Sequence, residues 1–443
     1  MKHNLEMGQL ISFISFIILG FLGFFGRIYQ VQSTVQRGSQ MQNTTITQST
    51  EKHYGKGSGI QHLDLEPGSV FMDEILSITH HYSEKTIKIL FKRKRCSAPV
   101  IRGRLSGPGL ALLTWTLEGD TARGIYEVPK PGIYFLELVA FFCEQFSRSM
   151  SSDDIKSSCL EDVRRHRLIS KGSRINIIKT SRLPEIGAWE TRGGSARPLF
   201  TRVQPYQCKK GEYKGKLNTK AACKEFMSLK GFSKYKFSFT SRKLSMKAIK
   251  TSLRDKMQRK FCFVGASHSR TIVEFLQDIF PSHSTKFLHL DVKWPHELSD
   301  AATAVVLNRC DAAIVGLGQW SAGWPQGFPI SFEEYERSMR TALILFSNVT
   351  TGKSKVFIRS MHENPLGYMI ASCPPTDWRN PEVVRIYNQI LSQISNELGI
   401  KFLNTESIIS PMWDSAPDWC HYKNSAGMIE SLYLVHEILE DSV

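Results

Sequence analysis

From Phe261 to the C-terminus, short β-branched and aromatic runs alternate with longer amphipathic ones, and this alternation restricts the fold more than any other feature of the chain. KFCFV, CDAAIV, KVFIR and IKFLN are short apolar runs of the kind that forms strands buried on both sides. Between the first two, residues 270–280 read as a helix. Ser331 with Glu334 three residues later forms a capping box that opens a helix running to Phe346. Asn380-Pro381 supplies a cap and a first-turn proline ahead of VVRIYNQILSQISNEL, Gly399 ends that helix, and NSAGMIESLYLVHEILE is a final amphipathic helix. Strands alternating with helices predict a parallel sheet covered on both faces, a three-layer α/β domain. Ligand sites in such sheets lie beyond the carboxyl ends of the strands.

The first of those ends carries Val264-Gly265-Ala266-Ser267-His268-Ser269-Arg270. A small-residue turn from strand to helix presents Ser267 where backbone N–H groups of a helix N-terminus can stabilise an oxyanion. A serine hydroxyl needs a base. Asp418-Trp419-Cys420-His421, just before the final helix, provides an imidazole with a carboxylate three residues earlier, a spacing that lets the acid orient the base. There is no Cys-x-x-Cys or His-Glu-x-x-His spacing, so no metal site is expected, and no phosphate loop or dinucleotide fingerprint is present.

FVGASHSR resembles the first sequence block of the SGNH hydrolase superfamily, in its PC-esterase branch, which includes trichome-birefringence-like glycan O-acetyltransferases. VFIRSMHENP (356–365) is similar to that branch's middle strand and loop, and DWCH to its Asp-x-x-His block. The resemblance spans about residues 205–443. It implies Ser267 as nucleophile, His421 as base and Asp418 as its orienting partner. It also implies an oxyanion hole at Gly318 and Gln319, and substrate contacts from Arg270, Arg359, His362 and Trp320. Ala266 departs from the usual Asp, and GLGQW stands where simple esterases carry Gly-x-Asn-Asp. No bound cofactor is implied. The acyl donor would be acetyl-CoA or an acylated glycan, and the acceptor a polysaccharide or glycoprotein glycan. A Cys373–Cys420 bridge is expected, worth roughly 4 kcal/mol in the chain-entropy picture. Cys208–Cys223 is a second pair, and Cys262 and Cys310 are buried thiols.

Ahead of this region, residues 68–147 show short alternating runs (THHYSEKTIKILFKR, ALLTWTLEG, GIYEVP, GIYFLELVAFF) separated by turn signals such as Ser106-Gly107-Pro108-Gly109 and Pro129-Lys130-Pro131-Gly132. They predict an all-β sandwich whose last strands resemble filamin-type immunoglobulin-like domains. A sandwich followed by a PC-esterase-like domain behind a membrane anchor resembles the layout of the neurexophilin-and-PC-esterase proteins. His80-His81 reads as a surface pair in a strand. Residues 148–207 read as a connector, 31–67 as a polar stem, and 208–443 as the catalytic domain.

Leu10–Gly26 contains seventeen residues without a charge, which predicts a signal-anchor helix within residues 1–30. Together with sequons at Asn43 and Asn348, it predicts a single-pass protein of the Golgi or another secretory membrane, with a lumenal body that meets no nucleic acid. The formal net charge of +16 then calls for another anionic partner, an acidic glycan. Residues 209–260 supply most of that charge, with 17 Lys or Arg against three acids, interleaved with Tyr213, Phe226, Phe232, Tyr235, Phe237 and Phe239. The rival expectation is a non-catalytic glycan-binding or adhesion protein that uses the sandwich and this basic face.

Overall fold

The computed structural model describes residues 60–63, 75–91, 101–140, 148–151, 153, 167–178, 186–192, 235–240, 245–255, 258–323, 330–363, 365, 381–413, 415, 420–422 and 424–441. Two sheets organise them. The larger is antiparallel and has ten strands: β1 (Ile60–Leu63), β2 (Ile75–His81), β3 (Thr86–Phe91), β4 (Ile101–Ser106), β5 (Gly109–Glu118), β6 (Thr121–Tyr126), β7 (Gly132–Ala140), β8 (Arg167–Ile177), β9 (Gly187–Thr191) and β10 (Tyr235–Phe239). Its main path runs β1-β2-β3-β6-β5-β4-β7-β8, with β9 pairing both β5 and β10. β5 pairs with β4 through Leu110–Leu112 and with β6 through Leu113–Glu118. The sheet therefore folds over on itself into a nearly closed barrel. Its core takes alternate residues from both halves, among them Ile78, Ile87, Ile89, Leu105, Leu136 and Ile175.

The smaller sheet is parallel, in the order β12-β11-β13-β14-β15. Its strands are β11 (Phe261–Gly265), β12 (Phe287–Leu290), β13 (Ala312–Gly316), β14 (Lys355–Arg359) and β15 (Lys401–Leu403). The helices are α1 (Met246–Asp255), α2 (Ser267–Ile279), α3 (Leu298–Leu307), α4 (Phe332–Thr350), α5 (Pro381–Glu397), α6 (Glu406–Ile409) and α7 (Asn424–Glu440). Cys262, Val264, Ala313 and Val315 pack with residues of α3, α4 and α5. Phe261, Phe263, Ala312 and Ile314 pack with residues of α1, α2 and α7. This period-two division is why the strands read as unbroken apolar runs. The Ser331 cap is formed, its Oγ accepting from the Glu334 N–H at 3.1 Å, and α5 begins at Pro381.

These observations correct the expected architecture. An SGNH-like three-layer domain preceded by a small sandwich and a membrane helix does not describe the molecule, because the antiparallel sheet is the larger one and is not confined to residues 68–147. It takes β1 from the expected stem and β8 and β9 from the expected connector. The reason is physical. β8, RLISKGSRINI, is half polar and finds its partner β7 across a long gap, so local periodicity does not reveal it.

Residues Ser58–Val443 form one compact unit. Arg104 of β4, fully buried, forks onto Glu137 of β7 at 2.7 and 2.9 Å, donates to the Pro411 carbonyl at 3.0 Å, and lies over the Trp413 ring. Trp189 of β9 donates to the Ile408 carbonyl at 2.8 Å. Arg102 reaches Glu363 at 2.6 Å.

Further expectations change. The anchor at Leu10–Gly26 and the sequon at Asn43 lie outside the described residues. Among the described residues no helix is long and apolar enough to cross a membrane, and the single-pass anchoring and the Golgi placement that rested on it are not supported. The Asn348 sequon falls in the last turn of α4 rather than in a loop, with the Thr350 hydroxyl buried and bonded to the Phe346 carbonyl at 2.9 Å. His80 is a core residue, bonded to the Tyr126 hydroxyl at 2.7 Å, and burial with the neighbouring His81 lowers its pKa to about 4. Cys262 and Cys310 are bridged rather than free, with Cα atoms 5.9 Å apart. Cys208, Cys223 and Cys373 lie outside the described residues.

Candidate functional site

β11 and β13 end on facing glycines, Gly265 and Gly316. Gly265 has φ +149, and a Cβ there would stand 2.4 Å from the Gly316 carbonyl oxygen, so the close approach of the two strand ends requires glycine. His289 of β12 donates from Nε2 to the Gly265 carbonyl at 2.7 Å, a bond that fixes its tautomer. The chain then turns at Ala266, the N-cap of α2, and Ser267 is the first residue of the helix, half-buried. An alanine offers no side-chain acceptor to the first turn, so no side chain caps α2. Its leading N–H groups carry the positive end of the helix dipole.

His421 belongs to the turn that precedes α7 and is half-buried. Its ring meets that of His268, the residue after Ser267, edge-on with centroids 5.2 Å apart. Cys420, buried, places Sγ 3.1 Å from His421 Nδ1. Asp418 and Trp419 lie outside the described residues. The ring of His362 also packs against His268, stacked with centroids 5.1 Å apart.

Arg359 and His362 are buried, and their partners are internal. His362 Nε2 lies 2.6 Å from Glu430 Oε1 and 2.8 Å from Arg359 Nη1, and Arg359 donates to the same carboxylate oxygen at 3.1 Å. Thr405 adds a hydroxyl bond at 2.8 Å. Burial opposes ionisation of Glu430, but the charges of His362 and Arg359 and the bonds from His362 and Thr405 outweigh it and hold the carboxyl down at about 2. Burial lowers the His362 pKa, and the Arg359 charge adds to this against the pull of Glu430. Asn388 of α5 clamps the strand end by accepting from Met361 N–H at 2.7 Å and donating to its carbonyl at 3.1 Å.

Gly318 and Gln319 follow β13. A Cβ on Gly318 would meet Met361 Sδ at 2.3 Å, so the backbone passes close over the β14 end. Gln319 donates from Nε2 to the His362 carbonyl at 2.7 Å, while its buried Oε1 has no hydrogen-bond partner among the described residues. Trp320 is half-buried, edge-on to Trp294 at 6.1 Å and under the Lys293 ammonium at 4.9 Å. Arg270 is exposed one turn into α2. The structure thus gathers Ser267, His421 and His362 around His268, joins Gln319 and Arg359 to them through His362, and puts Trp320 against Trp294 and Lys293. Sequence reasoning missed His268 and Glu430. His268 stood inside the quoted motif beside Ser267, and Glu430 was one of three acids in the last helix, with nothing local to set it apart from Glu437 and Glu440.

Two of the recesses lined by described residues carry aromatic and basic side chains. One of about 440 Å³ is lined by Trp189, Arg192, Tyr235, Lys236, Phe237 and Phe239, which brings part of the aromatic and basic stretch onto one surface. The other, of about 760 Å³, runs from Trp294 and His296 along α4 past Arg337.

No family model and no curated protein matches this chain.

Proposed function

We propose that the protein is a serine acyltransferase or esterase that acts on O-acyl groups, acetyl foremost, of acidic glycans through an acyl-Ser267 intermediate. The observation that carries this reading is the meeting of the α2 N-terminus with the 420–422 turn, where the His421 ring touches the residue that follows Ser267. In the reaction, Ser267 Oγ attacks the acyl carbonyl as its proton passes to His421, and first-turn N–H groups of α2 with the Gly318–Gln319 segment receive the oxyanion. His421 returns the proton to the departing alkoxide or thiolate. Water or a sugar hydroxyl then delivers its own proton to His421 as it attacks the acyl-serine, His421 passes that proton to the departing Ser267 Oγ, and Asp418 orients the imidazole throughout. The recess with Phe237, Phe239, Lys236 and Arg192 on its accessible rim suits a polyanionic glycan, with phenyl faces for sugar rings and cationic groups for carboxylates or sulfates.

Incubating the protein with acetyl-CoA or acetylated glycans and mapping peptides by mass spectrometry should find an acyl group on Ser267. Ser267→Ala should lower acyl transfer by about 10³-fold or more. Full activity in that variant sinks the mechanism. Glycan binding with no acyl adduct, unchanged by Ser267→Ala and His421→Ala, establishes the non-catalytic alternative instead.

A further inference from the structure

His268, Cys420 and His421 bring two imidazoles and a thiol together from opposite ends of the parallel-sheet region. Their donor atoms all lie within 4.8 Å of one another. Cys420 Sγ stands 3.1 and 3.4 Å from the two ring nitrogens of His421. His268 and Cys420 are buried and His421 is half-buried, so the cluster has a dry floor and one side nearer solvent. We propose that these three side chains bind a thiophilic divalent cation of the zinc class, and that the bound ion takes His421 out of proton transfer.

The donor set decides the class of ion. Two nitrogens and a sulfur suit zinc, whereas magnesium and calcium require oxygen ligands. Zinc bonds of about 2.0–2.1 Å to nitrogen and 2.3 Å to sulfur set tetrahedral donor–donor edges of roughly 3.3–3.8 Å. Separations up to 4.8 Å close to that range with a rotation of one imidazole. Three protein ligands leave a fourth position for water. Binding releases the Cys420 thiol proton to solvent and involves no electron transfer. The stack of His362 on His268 supports one ligand, and the Glu430 and Arg359 network holds His362 in turn.

The first half of the proposal stands without any assumption about catalysis. The second rests on the reading of His421 as base, because a nitrogen lone pair given to the metal cannot accept the Ser267 proton. Cobalt(II) is the probe. Titrated into the full chain, it should give tetrahedral d–d bands and a thiolate charge-transfer band, both removed by zinc. Cys420→Ser should abolish the charge-transfer band, and His268→Gln should weaken binding about tenfold or more. In the unaltered protein, zinc should protect Cys420 from alkylation, with a chelator reversing the protection, a measurement that does not depend on any variant folding. Absence of the bands, their persistence in Cys420→Ser, or recovery of Cys420 in a disulfide overturns the site. Cobalt binding in a protein that forms no acyl-serine overturns the catalytic reading and leaves the site standing. Acyl transfer that saturating zinc does not slow overturns the coupling between them.

Discussion

Glu430 carries the largest burden of any single side chain near the site. Among the described residues it is the acid paired with the buried Arg359 and His362, and its carboxyl is held at about 2 against an ordinary 4.5. A carboxyl with a depressed folded value stabilises the protein above its unfolded value, and that stabilisation disappears as pH falls from about 4.5 towards 2. His362, lowered from 6.5, acts in the same direction: below 6.5 the unfolded chain takes up a proton that the folded chain refuses. Stability should therefore decline steadily on acidification from pH 7, and urea midpoints at pH 7, 5 and 3 will show it. Glu430→Gln leaves Arg359 buried without a counter-charge. It should cost roughly 3–5 kcal/mol at neutral pH and flatten the acid limb of the profile. A variant as stable as the parent, with the same acid slope, would show that the network contributes nothing. None of this was legible in the sequence, where Arg359 and His362 read as substrate contacts. Ser267 and His421 could be singled out because each sits in a short motif at an element boundary. The partner of Arg359 lies 71 residues away, between Ile429 and Ser431 of a helix that reads simply as amphipathic.

At the scale of elements, the strand ends β11 and β13 position the chemistry. Gly265→Ala drives a methyl group into the Gly316 carbonyl and forces a backbone conformation that alanine resists. It should cost roughly 3 kcal/mol or more and displace Ser267, with loss of the acyl adduct. An alanine variant with unchanged stability and labelling would mean that the turn tolerates a wider approach. Four of the five parallel strands and the helices at Ser331, Pro381 and the C-terminus were readable, because double-sided burial and caps leave local marks. β12, only four residues of FLHL, and α3, LSDAATAVVL, were not. A short strand buried chiefly through Phe287 and a helix of small residues both carry weak periodicity. The antiparallel strands beyond Phe146 escaped for a similar reason. Half-polar strands paired over long separations look like linker, and their placement comes from tertiary pairing rather than intrinsic preference.

For the whole molecule, the two sheets are one structural commitment. Arg104 is 1% exposed, and the Glu137 it neutralises is fully buried. Arg104→Met strands that carboxylate and removes the bond to Pro411, so a loss of about 3–5 kcal/mol is predicted. Far-UV circular dichroism and tryptophan fluorescence should report one shared urea transition, shifted together in the variant. Two separated transitions would mean that the sheets fold independently. This joint was invisible beforehand, since its bonds link residues 219 and 307 positions apart. The anchors it provides, Ile408 and Pro411, lie just upstream of the turn that bears Cys420 and His421. An abbreviated chain beginning near Ser245 would retain every parallel strand yet leave that turn without its moorings. The chemistry proposed for Ser267 is therefore not portable: any recombination event that transplants the C-terminal half has to bring the β-rich half along, or it carries over a nucleophile whose base has drifted.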